Sequence, residues 1–393
     1  MRAVVHIGAE KTGSTALQKC FELNRSAMVR AGIFFPESLG GTQQWSLALY
    51  GLDSERRTEM SDRMDRFNDD REGWRRGIEE TLTRELAGKQ PELLLISTEL
   101  LSSHLVSASE VQRVKDLLDR WCDDYRIVCY LRRQDRARAS HYSTSIRTGG
   151  TSRRPLGDEE ASDHRFEYES ILDLWASVFG DEAVVPRNYD AVRRNGHDLF
   201  DDFVEAADLP VDSVSMQRPG RQNESLSSKA LGVLIGFNER VGDWESGQEA
   251  HQVRRILTGV VDRRFPGKPP RPSREEARTY LARYTEANAR VAQRWFADGQ
   301  LFDDDFDDYP EVAEQPSDVE PDEMLDVMVE FARRMVSSPA GKRRQAGKRR
   351  QQAKAQRTRA AASAALAEGR SEGRREGRPS VRRLWRRLGR TAG

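Results

Sequence analysis

The chain has 393 residues, of which 37% are hydrophobic and 33% are charged. This length excludes a small disulfide-stapled scaffold and is enough for one large α/β domain or two ordinary domains. The three cysteines, Cys20, Cys122 and Cys129, lack metal-type spacing and predict free thiols in a reducing compartment. The sequence has no run of about 18 apolar residues, so we expect no membrane span and a cytoplasmic protein.

The net charge of zero conceals an uneven distribution of charge. Residues 340–393 carry 18 Lys and Arg against three Glu, so the rest of the chain is acidic by the same amount. The repeats GKRRQ and EGR in this stretch, without apolar periodicity, are typical of a disordered tail. Its segment 381–390, VRRLWRRLGR, predicts either an amphipathic helix on an anionic membrane surface or a solvated segment that contacts acidic surfaces without specificity.

Alternating strands and helices predict an α/β fold, with a central parallel sheet flanked by helices. Three apolar runs, Ala3–Ile7, Glu92–Ser97 and Arg126–Leu131, are typical of buried parallel strands. A fourth strand is expected at Ala183–Tyr189. Helical spacing after the first run predicts a strand, a loop and a helix within the first 25 residues or so.

The domain organisation follows from these elements. We expect a single domain over residues 1–339, followed by the basic tail at 340–393. Within the domain, a polar stretch with scattered aromatic residues predicts a mostly helical insertion at about 38–90. Additional helices are expected at about 226–337.

The residues that carry the chemistry lie between the first strand and the first helix. The loop at 8–15, GAEKTGST, places backbone N–H groups at the positive end of a helix, which predicts a phosphate site. Its two glycines resemble those of a nucleotide-hydrolase P-loop, but that loop places Lys directly after the second glycine. Here Ser14 occupies that position, and Lys11 lies inside the loop.

Magnesium-dependent phosphoryl transfer also needs an acidic ligand. Neither Glu92–Ser97 nor Arg126–Leu131 ends in an aspartate that would help to hold Mg²⁺, so we expect no metal site. An anhydride would then be handled by Lys11 and the hydroxyls near it. This suits a transferred group of low charge, such as sulfuryl.

The segment HIGAEKTGSTALQ at 6–18 resembles the 5′-phosphosulfate loop of the sulfotransferases that use 3′-phosphoadenosine 5′-phosphosulfate (PAPS). In that family a strand ends in Arg, and a Ser eight residues later helps the Arg to hold the 3′-phosphate. In CYLRRQDRARASHYSTSIR at 129–147, Arg132 and Ser140 fit this spacing, whereas Arg133 is one residue too close. Both groups can reach one phosphate, to which Arg supplies a charge-assisted fork.

The resemblance covers about residues 1–240, with weaker matches at 189–209 and 223–231. It departs from the family at Gln134, where many members have Pro, so the choice between the two arginines stays open. The resemblance implies a P-loop-like sulfotransferase fold. It also implies transfer of a sulfuryl group from PAPS to a hydroxyl, leaving 3′,5′-bisphosphoadenosine. Carbohydrate, lipid-linked glycan and small-molecule acceptors all remain open.

The resemblance further implies roles for individual residues. Lys11 would be catalytic, by stabilising the departing phosphate. The residues that would bind PAPS are Lys11, Thr12, Gly13, Ser14, Thr15, Arg132 and Ser140.

An attacking hydroxyl needs a base to take its proton. Glu99 is the first candidate, because it directly follows a strand at the edge of the sheet where the acceptor must lie. His104 is a second catalytic candidate, since the ordinary pKa of histidine suits the task. Glu37 is a third, because some family members place the base shortly after the first helix.

Two other classes of function remain as alternatives. The glycine spacing also fits a degenerate P-loop kinase or nucleotide hydrolase, which would turn over ATP with Mg²⁺. The basic tail fits a non-enzymatic anion-binding protein, which would need no nucleotide. Peripheral contact of residues 340–393 with an anionic membrane is a further open alternative, and no specific nucleic-acid partner is expected.

Overall fold

The computed structural model of the protein describes residues 1–62, 64, 69–157, 163–220, 225–241 and 248–337. These residues belong to two compact units, the first formed by Met1–Val319 and the second beginning at Glu320. The predicted basic tail at 340–393 lies outside the described residues, so its state and its contacts stay predictions. No helix in the described ranges is long and apolar enough to cross a membrane.

A parallel sheet of five strands forms the centre of the first unit. Its strands are β1 (Arg2–His6), β2 (Ile33–Phe34), β3 (Leu93–Ser97), β4 (Asp124–Leu131) and β5 (Val184–Asn188). Their order across the sheet is β2-β3-β1-β4-β5, and each neighbouring pair is parallel. The predicted α/β class with a central parallel sheet is therefore confirmed. The short edge strand β2 was not predicted.

Sixteen α-helices account for many of the other described residues. In chain order they are α1 (Ser14–Leu23), α2 (Arg25–Arg30), α3 (Ser46–Gly51), α4 (Glu59–Asp62), α5 (Arg71–Leu86), α6 (Leu100–His104), α7 (Ala108–Leu118), α8 (Gln134–Arg147), α9 (Tyr168–Phe179), α10 (Tyr189–Arg194), α11 (Leu199–Ala206), α12 (Ser228–Val241), α13 (Gln248–Arg264), α14 (Arg274–Ala282), α15 (Thr285–Trp295) and α16 (Pro321–Ser337). The last of these belongs to the second unit.

The central residues of β1, β3 and β4 are mostly apolar, because both faces of the sheet are buried there. In β1, Val5 packs into a core shared with residues of α3, α5, α7 and α9, whereas Val4 packs into a second core shared with α1, α2 and α11. Successive strand residues point to opposite faces, so each strand contributes to both cores. Full burial of each large apolar side chain contributes about 1.5–3 kcal/mol.

The connections out of the sheet create a crevice at one edge. The chain leaving β1 enters α1 on one face, while the chains leaving β3 and β4 lead to α7 and α9 on the other face. β1 lies between those two strands in the sheet. In open α/β sheets, ligands bind at the carboxyl ends of the strands where neighbouring connections diverge in this way.

The segments expected to lie outside the core strands contain helices joined by non-helical stretches. Residues 38–90 contain α3, α4 and α5, and Leu47 and Leu82 from this segment pack into the same core as Val5. The described part of 226–337 contains α12–α16. The extent of the single domain over 1–339 stays a prediction.

Candidate active site

The turn from β1 into α1 has an uncommon backbone conformation. Lys11 has a φ of 68° and Gly13 a φ of 86°. A Cβ placed on Gly13 would lie 2.5 Å from Cδ2 of Leu199, so both the backbone angle and the space require glycine. A positive φ at a residue other than glycine costs free energy and is concentrated at binding loops. The conformation of Lys11 therefore marks this turn as a candidate functional loop.

The first turn of α1 offers hydrogen-bond donors. Gly13 is the N-cap residue and provides no side-chain cap, so N–H groups at the start of the helix lie open at the positive end of its dipole. Thr12 is fully buried, and its Oγ1 donates to the carbonyl of Ala9 at 2.6 Å, which stabilises the loop from inside. Ser14 is 5% exposed, and its Oγ has no hydrogen-bond partner among the residues that the structure describes. A bound anion would satisfy these groups.

Arg132 meets the loop from the end of β4. Its Nη1 donates to the carbonyl oxygen of Lys11 at 3.0 Å. Its guanidinium carbon lies 5.5 Å from the ring centroid of Tyr189, the first residue of α10. The two segments predicted to hold phosphates are thus in direct contact.

One face of α8 adds further polar groups. Ser140, Thr144 and Arg147 are spaced four and three residues apart, so they share a face of the helix. The Lys11 Nζ donates to Thr144 Oγ1 at 3.3 Å. Of these three, only Ser140 was predicted as a binding residue. Thr144 and Arg147 could have been found from the sequence, because they lie four and seven residues after Ser140 and so share its face of the helix.

These elements enclose a cavity of about 460 Å³ at the carboxyl edge of the sheet. This volume lies within the range of about 300–1,000 Å³ that is typical of small-molecule sites. The residues that line the cavity are Glu10, Lys11, Gly13, Ser14, Thr15, Ala16, Glu99, Leu100, Arg132, Ser140, Ser143, Thr144, Arg147, Tyr189 and Ser225.

The cavity concentrates positive charge. Burial lowers the pKa of Lys11, and the nearby charges of Arg132 and Arg147 lower it further. Burial also lowers the pKa of Arg147. Bringing like charges together away from water is unfavourable, and an anion bound between them relieves the cost. The electrostatics therefore indicate an anion site.

Arg133, the alternative to Arg132, lies in a different environment. It is fully buried, with its Nε 2.8 Å from Asp135 and its Nη1 2.8 Å from Asp303. Its guanidinium carbon also lies 4.2 Å from the ring centroid of Phe306. Arg132 also lies 3.7 Å from Asp190, but it lines the cavity, whereas Arg133 is held by buried contacts elsewhere.

Two carboxyl groups line the cavity. Glu99 follows β3 and accepts a hydrogen bond of 2.9 Å from Gln18 Nε2, and burial raises the pKa of Glu99. Glu10 lies in the loop, with its Oε2 3.1 Å from His141 Nε2 and 3.5 Å from Arg165 Nη1. Burial alone would raise the pKa of Glu10, but these partners outweigh burial and lower it. Glu10 was not predicted as a site residue, although it stands inside the predicted loop.

The other two candidate bases are not among the residues that line this cavity. His104 ends α6, where its Nδ1 lies 3.0 Å from Ser103 Oγ. Glu37 is 3.3 Å from Arg25 and lines a separate cavity beside the edge strand β2. Within the described ranges there is no group of three or more His, Cys, Asp or Glu side chains that could hold a metal ion. The expectation of no metal stays a prediction.

Comparisons with known proteins identify no family. No protein-family model matches the chain, and no curated protein matches its sequence. Among solved structures, the chain is similar to a sulfotransferase from Alicyclobacillus acidocaldarius, with 13% identity and a TM-score of 0.35 over 64% of this chain and 98% of that one. A similarity at this level carries no argument about function, which must be inferred from the cavity.

Proposed function

We propose that the protein is a sulfotransferase that takes a sulfuryl group from PAPS and passes it to a hydroxyl acceptor. The observation that carries this proposal is the convergence of Lys11, Arg132 and Arg147 on one cavity at the start of α1. A donor with phosphates on both the 5′ and the 3′ position needs two neighbouring anion sites. The first turn of α1 supplies one, and Arg132 with Ser140 supplies the other.

In this proposal the loop residues hold the 5′-phosphosulfate. The N–H groups at the start of α1 and the hydroxyls of Ser14 and Thr15 donate hydrogen bonds to its oxygens. When bound, PAPS supplies a sulfuryl group activated by its phosphate leaving group. Lys11 neutralises the negative charge that grows on that phosphate. A preorganised donor in such a role contributes about 3–4 kcal/mol to catalysis.

Glu99 is proposed to be the base, ahead of His104 and Glu37, because it is the one of the three that lines the cavity. As the acceptor oxygen bonds to sulfur and the bond from sulfur to the bridging oxygen breaks, a Glu99 carboxylate oxygen takes the hydroxyl proton. Gln18 holds the Glu99 carboxyl group in place through its amide. The raised pKa of Glu99 makes it a stronger base than an exposed glutamate.

The assignment of Glu99 predicts a pH dependence. A base must be ionised to act, so transfer should decline as pH falls through the pKa of Glu99, which burial raises above the ordinary value of 4.5. The acid limb of kcat/KM, measured with PAPS and an accepted hydroxyl compound, should therefore lie above pH 4.5 and disappear in Glu99→Gln. If the acid limb of the kcat/KM profile persisted in Glu99→Gln but shifted to a different pH in His104→Gln, the base would be His104 instead.

The donor assignment is tested by calorimetric titration with 3′,5′-bisphosphoadenosine and with AMP. We expect the bisphosphate to bind more tightly than AMP, and to do so in EDTA. Arg132→Ala should weaken bisphosphate binding by about 1.5–3 kcal/mol, or roughly 10- to 100-fold, because a charge-assisted hydrogen bond is lost. AMP, which lacks the 3′-phosphate, should be affected much less.

The control is Arg193→Ala, since Arg193 is an exposed arginine on α10 and not one of the residues that line the cavity. The Arg193→Ala variant should bind both nucleotides with the affinity of the unmodified protein. Equal affinity of the unmodified protein for AMP and the bisphosphate would overturn the proposal. Magnesium-dependent turnover of ATP would favour the kinase or hydrolase alternative.

A further inference from the structure

The cavity has a basic side and an acidic side. Because β1 lies between β3 and β4, the residues that follow β3 and β4 reach the cavity on opposite sides of the loop. Arg132 follows β4, as does α8 with Ser140 and Arg147, whereas Glu99 follows β3. Neighbouring strands are about 4.8 Å apart, so the exits of β3 and β4 are roughly 10 Å apart across the sheet.

The acidic side consists of two carboxyl groups in fixed positions. Glu10 is held by His141 and Arg165, yet its side chain is still 17% exposed and lines the cavity. Glu99 is held by Gln18. These contacts fix where the two carboxyl groups stand before any ligand arrives, so a ligand that fills the cavity must accommodate both of them.

The basic side matches the donor, so the acidic side is left for the acceptor. The phosphates of the donor would bind next to the side-chain cations of Lys11, Arg132 and Arg147. An acceptor that enters beside them from the β3 side meets Glu99, and the charge of Glu10, which lies between Glu99 and His141 of α8, acts on the same space. The Glu99 carboxylate, and the part of the Glu10 charge that Arg165 does not offset, repel a further negative charge and attract a positive one.

A negative acceptor would also impair the proposed base. Burial raises the pKa of Glu99, and the charge of Glu10 adds to this effect. A further negative charge beside Glu99 acts in the same direction and favours its protonated form, which cannot take a proton. Repulsion and loss of the base therefore discriminate against the same class of acceptor.

We propose that the acceptor is a hydroxyl compound without negative charge near the reacting hydroxyl, and that an acceptor with an ammonium group close to that hydroxyl binds best. Amino sugars and amino alcohols belong to this class, whereas uronates and other carboxylated or sulfated glycans do not. This inference rests on the proposed function, because it concerns the acceptor side of the same cavity.

The test measures binding and does not depend on turnover. The full chain, saturated with 3′,5′-bisphosphoadenosine, is titrated with 6-amino-6-deoxyglucose, glucose and glucuronate, which differ only at carbon 6, and binding is followed by NMR. We expect affinity to decrease in that order, with roughly a tenfold difference between the amine and the carboxylate. Glu10→Gln, which keeps the shape of the side chain, should reduce this difference severalfold. Glu22→Gln is the control, since Glu22 is an exposed carboxylate on α1.

Each other outcome overturns the inference. Equal affinities, a preference for glucuronate, or no binding of any of the three sugars to protein that holds the bisphosphate would reject the acceptor class and leave the donor site intact. An unchanged preference in Glu10→Gln would overturn the inference too, because the carboxyl group proposed to select the acceptor would not be responsible for the preference. If the bisphosphate itself fails to bind, the proposed function and this inference fall together.

Discussion

Lys11→Ala is expected to slow sulfuryl transfer by roughly 10²- to 10³-fold, because it removes a donor that acts on charge developing in the transition state. The affinity for 3′,5′-bisphosphoadenosine should fall much less, since the start of α1 and Arg132 still bind the two phosphates. The rate is measured as release of the bisphosphate from PAPS with an accepted hydroxyl compound. The affinity is measured by calorimetry.

Lys19→Ala provides the matched control for this variant. Lys19 lies on the same helix, but its side chain is exposed and it is not one of the residues that line the cavity. Its variant should transfer sulfuryl at the normal rate. If Lys11→Ala lost affinity and rate to the same extent, Lys11 would bind the ground state and the transition state equally, and the catalytic assignment would be wrong.

Arg133→Ala is expected to lower the free energy of unfolding by about 3–5 kcal/mol, which is the usual cost of removing one partner from a buried ion pair. Arg133 and Asp135 are both fully buried, so the substitution leaves the Asp135 carboxylate without its cation in the interior. Asp303 loses an ion-pair partner as well. Denaturant unfolding monitored by circular dichroism measures the effect.

Comparison with the Arg132→Ala variant distinguishes a structural role of Arg133 from a role in nucleotide binding. The Arg132 side chain is 23% exposed and lines the cavity, so its loss should weaken nucleotide binding. It also removes an ion pair with Asp190 and a hydrogen bond to the Lys11 carbonyl, but it should lower stability less than Arg133→Ala does. Arg133→Ala should show the opposite pattern wherever it remains folded. If the Arg133→Ala protein had normal stability but failed to bind the bisphosphate, Arg133 and not Arg132 would be the residue that binds the 3′-phosphate.

The main features of the fold could be predicted because they depend on local pattern. β1, β3 and β4 are buried on both faces over most of their length, so each appears in the sequence as an apolar run. β2 consists of Ile33 and Phe34 alone, and two residues are too few to show a period. Its place at the edge of the sheet comes from pairing with β3, a contact between residues far apart in the chain.

In the cavity, too, the features that depend on local sequence could be predicted, and those that depend on contacts between distant residues could not. The loop at 8–15 is recognisable because its glycines, hydroxyls and lysine are adjacent in the sequence. Tyr189 could not be assigned in this way, since it reaches the cavity only through the position of α10 beside Arg132. Glu10 is adjacent to Lys11, but its contacts with His141 and Arg165 depend on tertiary structure. The sequence therefore shows the lysine and hydroxyls of the loop, but not the tertiary contacts that bring Glu10 and Tyr189 to the same cavity.

The most direct test of the donor site is a crystal structure of the full chain with 3′,5′-bisphosphoadenosine. We predict the 5′-phosphate at the first turn of α1, within hydrogen-bond distance of Ser14 Oγ, and the 3′-phosphate between Arg132 and Ser140. A nucleotide bound away from this cavity, or one whose 3′-phosphate points into solvent with Arg132 unengaged, would contradict the assignment.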